Sequence, residues 1–315
     1  MLVLESTQSV VEGAAHVSID ESAIARWAAS VSPEMLRPSG HGLLAELTGS
    51  AERLANLVLL IDALNFCFWS ADPLRIEWRG RTYERFNAMF VSLMLAARYE
   101  PGWSEPRFWL EAPSEEIRAA LAGKGELLLM EERERIIRET GRILVERFDG
   151  QFMNAIESVS HRAWPLAVLL MTEFDSFRDV AFYKGRIVYF MKRAQIAALD
   201  LSVAWQSNGH APLAGLEELT AFADYRVPQA LRHLGILQLA SPFAERIESE
   251  EEMPAGSEEE VELRAATIHA VDRMVRALAM QQVKSTAWEV DWYLWELSHA
   301  AEVGVKHHRV RTIYY

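Results

Sequence analysis

The chain holds a single cysteine, Cys67, so no internal disulfide can brace it. A lone thiol in the apolar run Asn65-Phe66-Cys67-Phe68-Trp69 reads as a plain buried side chain, and this usage fits a reducing compartment. Long apolar runs are lacking too. They reach about a dozen residues before Asp or Arg interrupts them, short of the ~20 that a helical membrane span needs. The opening segment MLVLESTQSVVEG has no basic region ahead of an apolar one and no signal cleavage pattern. A cytosolic protein with no membrane attachment is expected.

Phosphate-loop and metal motifs are missing as well. Gly123-Lys124-Gly125 falls between two helical stretches with no strand ahead of it, so it reads as a turn rather than a phosphate cradle. There is no nucleophile elbow, no zinc-type cysteine spacing and no His-Glu-x-x-His. The 9 histidines are scattered. His269 and Asp272 share a helix face, which a helix-surface hydrogen bond explains better than a metal. Neither a metal nor an organic cofactor is expected. Positive charge is scarce: the net charge is −13, of which −8 falls between Glu245 and Glu262, leaving −5 for the rest. A mildly acidic body is a poor partner for duplex nucleic acid, which demands many phosphate contacts. The acidic run reads as a solvated loop, with 241–257 as a surface excursion from the body.

What is present is helical periodicity. Apolar residues are 50% of the chain and charged residues 24%, ordinary globular proportions that allow a core large enough to wall off a dry pocket. Patterns of 3.6-residue period predict helices from Ser18 or Asp20 through Trp27, and over 51–69, 84–98, 131–148, 151–160, 164–173, 189–206, 228–234, 258–280 and 285–302, with a short one from Ser114 to Gly123. Strand signals are thin. Residues 75–83 turn at Gly80 and 181–189 turn at Lys184-Gly185, each a candidate hairpin. No internal repeat and no Gly/Ser-rich linker divides the chain. The expected architecture is all-α, one large helical domain over 1–315 with at most short hairpins, acting as a monomer.

Three segments set polar groups in apolar or aromatic surroundings, where an unpaired carboxylate costs several kcal/mol. In Phe222-Ala223-Asp224-Tyr225-Arg226-Val227-Pro228-Gln229, Asp224 either caps the helix that Pro228 opens, pairs with Arg226, or points into a pocket walled by Phe222. In Trp288-Glu289-Val290-Asp291-Trp292-Tyr293-Leu294-Trp295-Glu296, Trp292 and Glu296 share a helix face. They are either packing with exposed acids or a platform for a planar ring, with carboxylates accepting from its N–H groups. Lys192-Arg193 is the plainest basic pair and either holds a phosphate or pairs with Asp175 and Asp179.

Together with Leu60-Ile61-Asp62-Ala63-Leu64-Asn65-Phe66, Phe177-Arg178-Asp179 and Glu260-Val261-Glu262-Leu263-Arg264, these blocks make the chain resemble the queuosine salvage family, the queuosine 5′-phosphate N-glycosylase/hydrolases. The resemblance covers most of the chain, and the Phe-Ala-Asp-Tyr-Arg block is its most specific part. It implies an all-helical fold similar to helix-hairpin-helix DNA glycosylases without their DNA-binding role. It also implies hydrolysis of queuosine 5′-monophosphate to queuine and ribose 5-phosphate, with no stable nucleic-acid partner. Asp224 is then the catalytic carboxylate, with Phe222 lining the base site, Asp291, Trp292 and Glu296 contacting the base, and His16 contacting the ligand. The family often has Tyr where this chain has Trp292, and Asp where it has Glu296; both exchanges keep the chemical type. Lys192, Arg193 and Arg226 are the candidate phosphate ligands, with Lys306, His307, His308 and Arg309 in reserve. The alternatives are a helical nucleobase-binding protein or a nucleic-acid glycosylase-like module without this activity.

Overall fold

Helices begin where a side chain takes up the free N–H groups of a first turn. The computed structural model describes residues 2–37, 42–300 and 303–315, and fourteen α-helices lie within them. They are α1 (Leu2–Glu12), α2 (Glu21–Ser30), α3 (Ala51–Ala63), α4 (Arg85–Tyr99), α5 (Pro106–Glu111), α6 (Ser114–Ala120) and α7 (Met130–Arg147). There follow α8 (Phe152–Ser158), α9 (Ala163–Glu173), α10 (Lys192–Ser207), α11 (Arg226–His233), α12 (Ser241–Glu248), α13 (Glu258–Met280) and α14 (Ala287–Leu297). Asp20 starts α2 by accepting from the Ala23 amide at 3.0 Å, and Ser50 does the same for α3 through Arg53. Ser257 caps α13, and a reciprocal Thr286–Glu289 box opens α14.

The strands are short and pair two by two: β1 (Val17–Ile19), β2 (Arg75–Trp78), β3 (Arg81–Glu84), β4 (Val180–Tyr183), β5 (Arg186–Tyr189), β6 (Leu237–Leu239), β7 (Glu252–Met253) and β8 (Arg309–Val310). β2–β3 and β4–β5 are the two hairpins that the alternating pattern announces. The antiparallel β1–β6 pair and the parallel β7–β8 pair join segments far apart in sequence, where local pattern carries no signal. Around this frame α10 lies between α3 and α9, while α13 packs on α1, α2 and α14. Both long helices are covered on several sides, and the core that they share runs from Val3 to Tyr315. Among the described residues no helix is long and apolar enough to cross a membrane.

Three boundaries differ from the sequence pattern for physical reasons. The apolar run 51–69 is helical only to Ala63, because two buried guanidinium groups claim the carbonyls beyond. Arg193 donates to the Ala63 and Asp62 carbonyls, and Arg133 to those of Leu64 and Phe66. The chain then turns through Cys67 at φ 55°. α10 starts at Lys192 rather than 189, since Tyr189 belongs to β5 and the Asp179 carboxylate accepts the Lys192 amide at 3.0 Å. The 241–257 stretch is folded, holding α12 and β7, and its glutamates meet α11 and the basic tail: Arg232–Glu248 to the first, Lys306–Glu250, Arg309–Glu250 and Arg311–Glu252 to the second. The helix expected over 285–302 runs only from Ala287 to Leu297, where the Ser298 hydroxyl turns back to the Trp295 carbonyl; residues 301–302 lie outside the described residues.

Candidate active site

The segment from Thr220 to Tyr225 has no secondary structure of its own, yet it is buried, so each of its backbone groups needs a partner. Side chains from three helices supply them. Gln195 of α10 accepts from the Thr220 amide at 2.8 Å, and Asp291 of α14 accepts from the Phe222 amide at 2.8 Å. Arg264 of α13 donates Nε to the Ala223 carbonyl at 3.0 Å. The same guanidinium forms a two-pronged pair with Asp179 at 2.9 and 2.7 Å, and both partners are buried. Since Asp179 also holds the first amide of α10, one ion pair fixes the loop, α13 and α10 relative to one another.

Phe222 and Asp224 face a cavity of about 700 Å³. It is walled by α10 (Lys192, Ile196, Leu199, Asp200), by α14 (Trp288, Asp291, Trp292, Trp295, Glu296) and His299 beyond its end, by Asn65, Phe68, Tyr315 and the start of α4, and by the short 3-10 turn Gly42–Glu46. The size suits a nucleotide. A second hollow of about 760 Å³ between β2, α4 and Ala119–Lys124 has its charged groups paired, Lys124 with Glu77 and Arg75 with Asp72.

Asp224 is 8% exposed and does cap a helix: Oδ1 accepts from the Arg226 and Val227 amides at 2.7 and 2.9 Å. Both bonds fall on one oxygen, which leaves Oδ2 for a ligand. Capping and an oxygen left open to a ligand are therefore compatible here. The Asp291 carboxyl is pushed well above the usual carboxylate range, by burial first and then by the charge of Asp224. Trp292 Nε1 donates to Glu296 at 2.9 Å, which fixes the indole plane at the cavity wall. Lys192 donates to the Asn65 carbonyl at 3.2 Å; burial lowers its pKa, against the opposing charges of Asp224, Asp62 and Asp291.

The remaining expected site residues separate. Arg226 lines the cavity and donates to Gln229 at 3.1 Å. Arg193 does not line it: its guanidinium points at the Ala63 and Ser176 carbonyls and lies over the rings of Phe66 and Phe177, with burial lowering its pKa to about 10. His16 also lies elsewhere, on the β1 side against Phe243, with its amide bonded to Glu262 at 2.6 Å. His16, Glu258 and Glu262 do bring ligand atoms within 4.8 Å of one another. Both Glu262 oxygens are already engaged, by Tyr183 and by the Ala15 and His16 amides. The tail residues Lys306 and Arg309 turn to Glu250, and His308 is buried against Tyr315. His269, expected to bond at its helix surface, meets Thr7 of α1 at 3.0 Å.

Sequence reasoning missed Arg85, His299 and Asp200 in the cavity wall. Arg85 opens α4 at φ 57°, a left-handed conformation uncommon outside glycine, with its amide on the Leu74 carbonyl. Nothing local announces that geometry.

A family model described as queuosine salvage protein matches residues 45–315. The chain belongs to this family. Its relatives span nearly the whole length. A protein of Sphaerobacter thermophilus named queuosine 5′-phosphate N-glycosylase/hydrolase is 42% identical over 99% of this chain and 97% of its own. Proteins of the same name are 36% identical in Dictyostelium discoideum, over 84% of this chain and 79% of theirs, and 30% identical in Bos taurus, over 99% and 98%. The matched residues include every segment that lines the cavity apart from Gly42, Leu43 and Leu44.

Proposed function

We propose that this chain hydrolyses the N-glycosidic bond of queuosine 5′-monophosphate, releasing queuine and ribose 5-phosphate. The observation that carries the reading is a buried carboxylate, Asp224, set between an aromatic wall and the carboxyl of Asp291 in a cavity of nucleotide size. The base is a 7-deazaguanine. Carbon replaces N7, so protonation at that position cannot assist departure. The burden falls on stabilising the sugar cation that develops at C1′, as in glycoside hydrolysis generally. Asp224 Oδ1 is held by two amides, and Oδ2 then faces C1′, acting through a low effective dielectric or by a brief covalent bond.

Phe222 and Trp292 sandwich the base, and Asp291 and Glu296 accept from its N–H groups. A ligand donor at Asp291 favours its ionised form, reversing the burial that raises its pKa. The phosphate goes to the cationic end of the cavity, where Arg226, Arg85 and His299 gather; Lys192 balances the buried carboxylates beside it. The expected ligand contact at His16 is not retained, because it stands outside the cavity wall. We further propose that the fold is of the helix-hairpin-helix glycosylase type; a helical body with a carboxylate at a helix N-terminus beside an aromatic pocket supports that reading.

The test is incubation with queuosine 5′-monophosphate, its nucleoside and GMP, with base release followed by chromatography. Release of queuine from the nucleotide ahead of the other two is expected. No release from any of the three refutes the reading in favour of a binding protein.

A further inference from the structure

Among the carboxyl groups that wall the cavity, Asp200 stands apart. It is nine-tenths buried, it opens into the cavity, and among the described residues no hydrogen bond or ion pair reaches it. The others are engaged: Asp224 with two amides, Asp291 with Phe222, Glu296 with Trp292, Glu46 with Arg79 and Glu84 with Arg85. Behind Asp200, on α3, lies Asp62. It is wholly buried; Oδ1 accepts from Asn65 at 3.3 Å and Oδ2 has no partner. Burial raises the pKa of both carboxyls, Asp62 to about 7, and the charge of Asp62 raises that of Asp200 further. Lys192 and Arg193 are the cations that face the pair, and both are committed to backbone carbonyls of the chain after α3 or at its end. Two buried carboxyls with no cation of their own cost several kcal/mol, which an incoming positive charge relieves.

The position along the ligand follows from the helix. Asp200 is eight residues beyond Lys192, about 12 Å along the axis of α10. Arg85 and Arg226 gather with His299 and Asp224, whereas the charged neighbours of Asp200 are Asp62 and Lys192. The Gly42–Glu46 turn, which packs on α10, closes the cavity there. The end of the cavity at Asp200 is thus not the cationic end that suits a phosphate. A nucleotide laid with its phosphate at Arg85 and Arg226 and its C1′ at Asp224 sends the far side of its base toward Asp200.

We propose that Asp200, backed by Asp62, binds the protonated amine carried on the side chain of the 7-deazaguanine base and sets the preference for amine-bearing bases. This rests on the ligand being a 7-deazaguanine nucleotide. A charge-assisted hydrogen bond of this kind corresponds to a discrimination of about 10- to 100-fold. As the amine binds, the carboxyl pair gives up the proton that burial favours on it when empty.

The test measures equilibrium binding of two free bases, 7-aminomethyl-7-deazaguanine and 7-deazaguanine, to the intact chain and to Asp200→Asn by calorimetry. The intact chain prefers the amine-bearing base by about 10-fold or more, and Asp200→Asn loses that preference while keeping its affinity for 7-deazaguanine. No preference in the intact chain, or a preference that survives Asp200→Asn, overturns the proposal. A measurement that needs no variant uses buffers of different ionisation enthalpy. Binding of the amine-bearing base to the intact chain releases about one proton more than binding of 7-deazaguanine, and equal release overturns the proposal. Binding does not depend on turnover. A chain that discriminates the two bases but cleaves no nucleotide counts against the glycosidase reading alone, and one that binds neither base counts against both.

Discussion

Asp224→Asn removes one charge and little else. The amide oxygen of Asn can still accept from the Arg226 and Val227 amides, so the α11 cap survives and the fold loses at most about 1 kcal/mol. In the proposed mechanism the charge is what the reaction uses. A carboxylate oxygen about 3.5 Å from a developing unit positive charge, at an effective dielectric of about 20, contributes roughly 5 kcal/mol. That corresponds to a fall of about three to four orders of magnitude in the rate of base release. The assay is single-turnover release from queuosine 5′-monophosphate with enzyme in excess, which separates chemistry from product departure. Binding of queuine to the same variant, followed by quenching of the tryptophans on α14, should stay close to that of the unaltered chain. Turnover within about tenfold of the unaltered chain would falsify the assignment of Asp224 as the group that stabilises the sugar cation.

Trp292→Ala should weaken queuine binding by about 1–3 kcal/mol, read by calorimetry, because it deletes one face of the sandwich; unchanged affinity removes Trp292 from the base site. Arg133→Met should lower stability to urea by about 3–5 kcal/mol, since it leaves the buried carbonyls of Leu64, Phe66 and Leu128 without their donor. A loss below about 1 kcal/mol means that the loop finds other donors. His307 is held neutral by burial, its pKa lowered to about 4 from 6.5. The unfolded chain therefore binds the extra proton first, and the contribution of His307, about 3 kcal/mol, is present above pH 6.5 and lost as the pH falls toward 4. Denaturation of His307→Phe against the unaltered chain should give curves that converge as the pH drops through that window, with the variant the less pH-sensitive of the two; parallel curves refute the assignment.

Much of the helical skeleton was legible because caps and periodicity are local. Asp20, Ser50, Ser257 and the Thr286–Glu289 box stand where helices begin, and the Glu258–Met280 helix has the bounds that its pattern predicts. What local pattern could not carry was any boundary set from afar. The run after Ala63 is as apolar as the helix before it, and only Arg133, far along the chain, decides that its carbonyls point to a guanidinium instead of up a helix. The same holds for Arg193. Beside Lys192 it reads as half of an anion site, but consecutive residues on a helix point about 100° apart, and one faces the cavity while the other faces the core. The alternatives for Asp224 were not exclusive, since one oxygen caps while the other remains for a ligand. Asp200 gave no signal at all: in sequence it is one acid in the apolar stretch Ala197-Ala198-Leu199-Asp200-Leu201, and only the cavity distinguishes it.

The two-pronged Arg264–Asp179 pair joins the loop before α11, α13 and the first turn of α10. Those parts are consequently tied into one unit. The Gly42–Glu46 turn and the β2–β3 hairpin, by contrast, meet through the solvent-exposed Arg79–Glu46 pair, worth at most about 1 kcal/mol. Hydrogen exchange should therefore be slow in the loop before α11 and the first turn of α10, and faster in the Gly42–Glu46 turn.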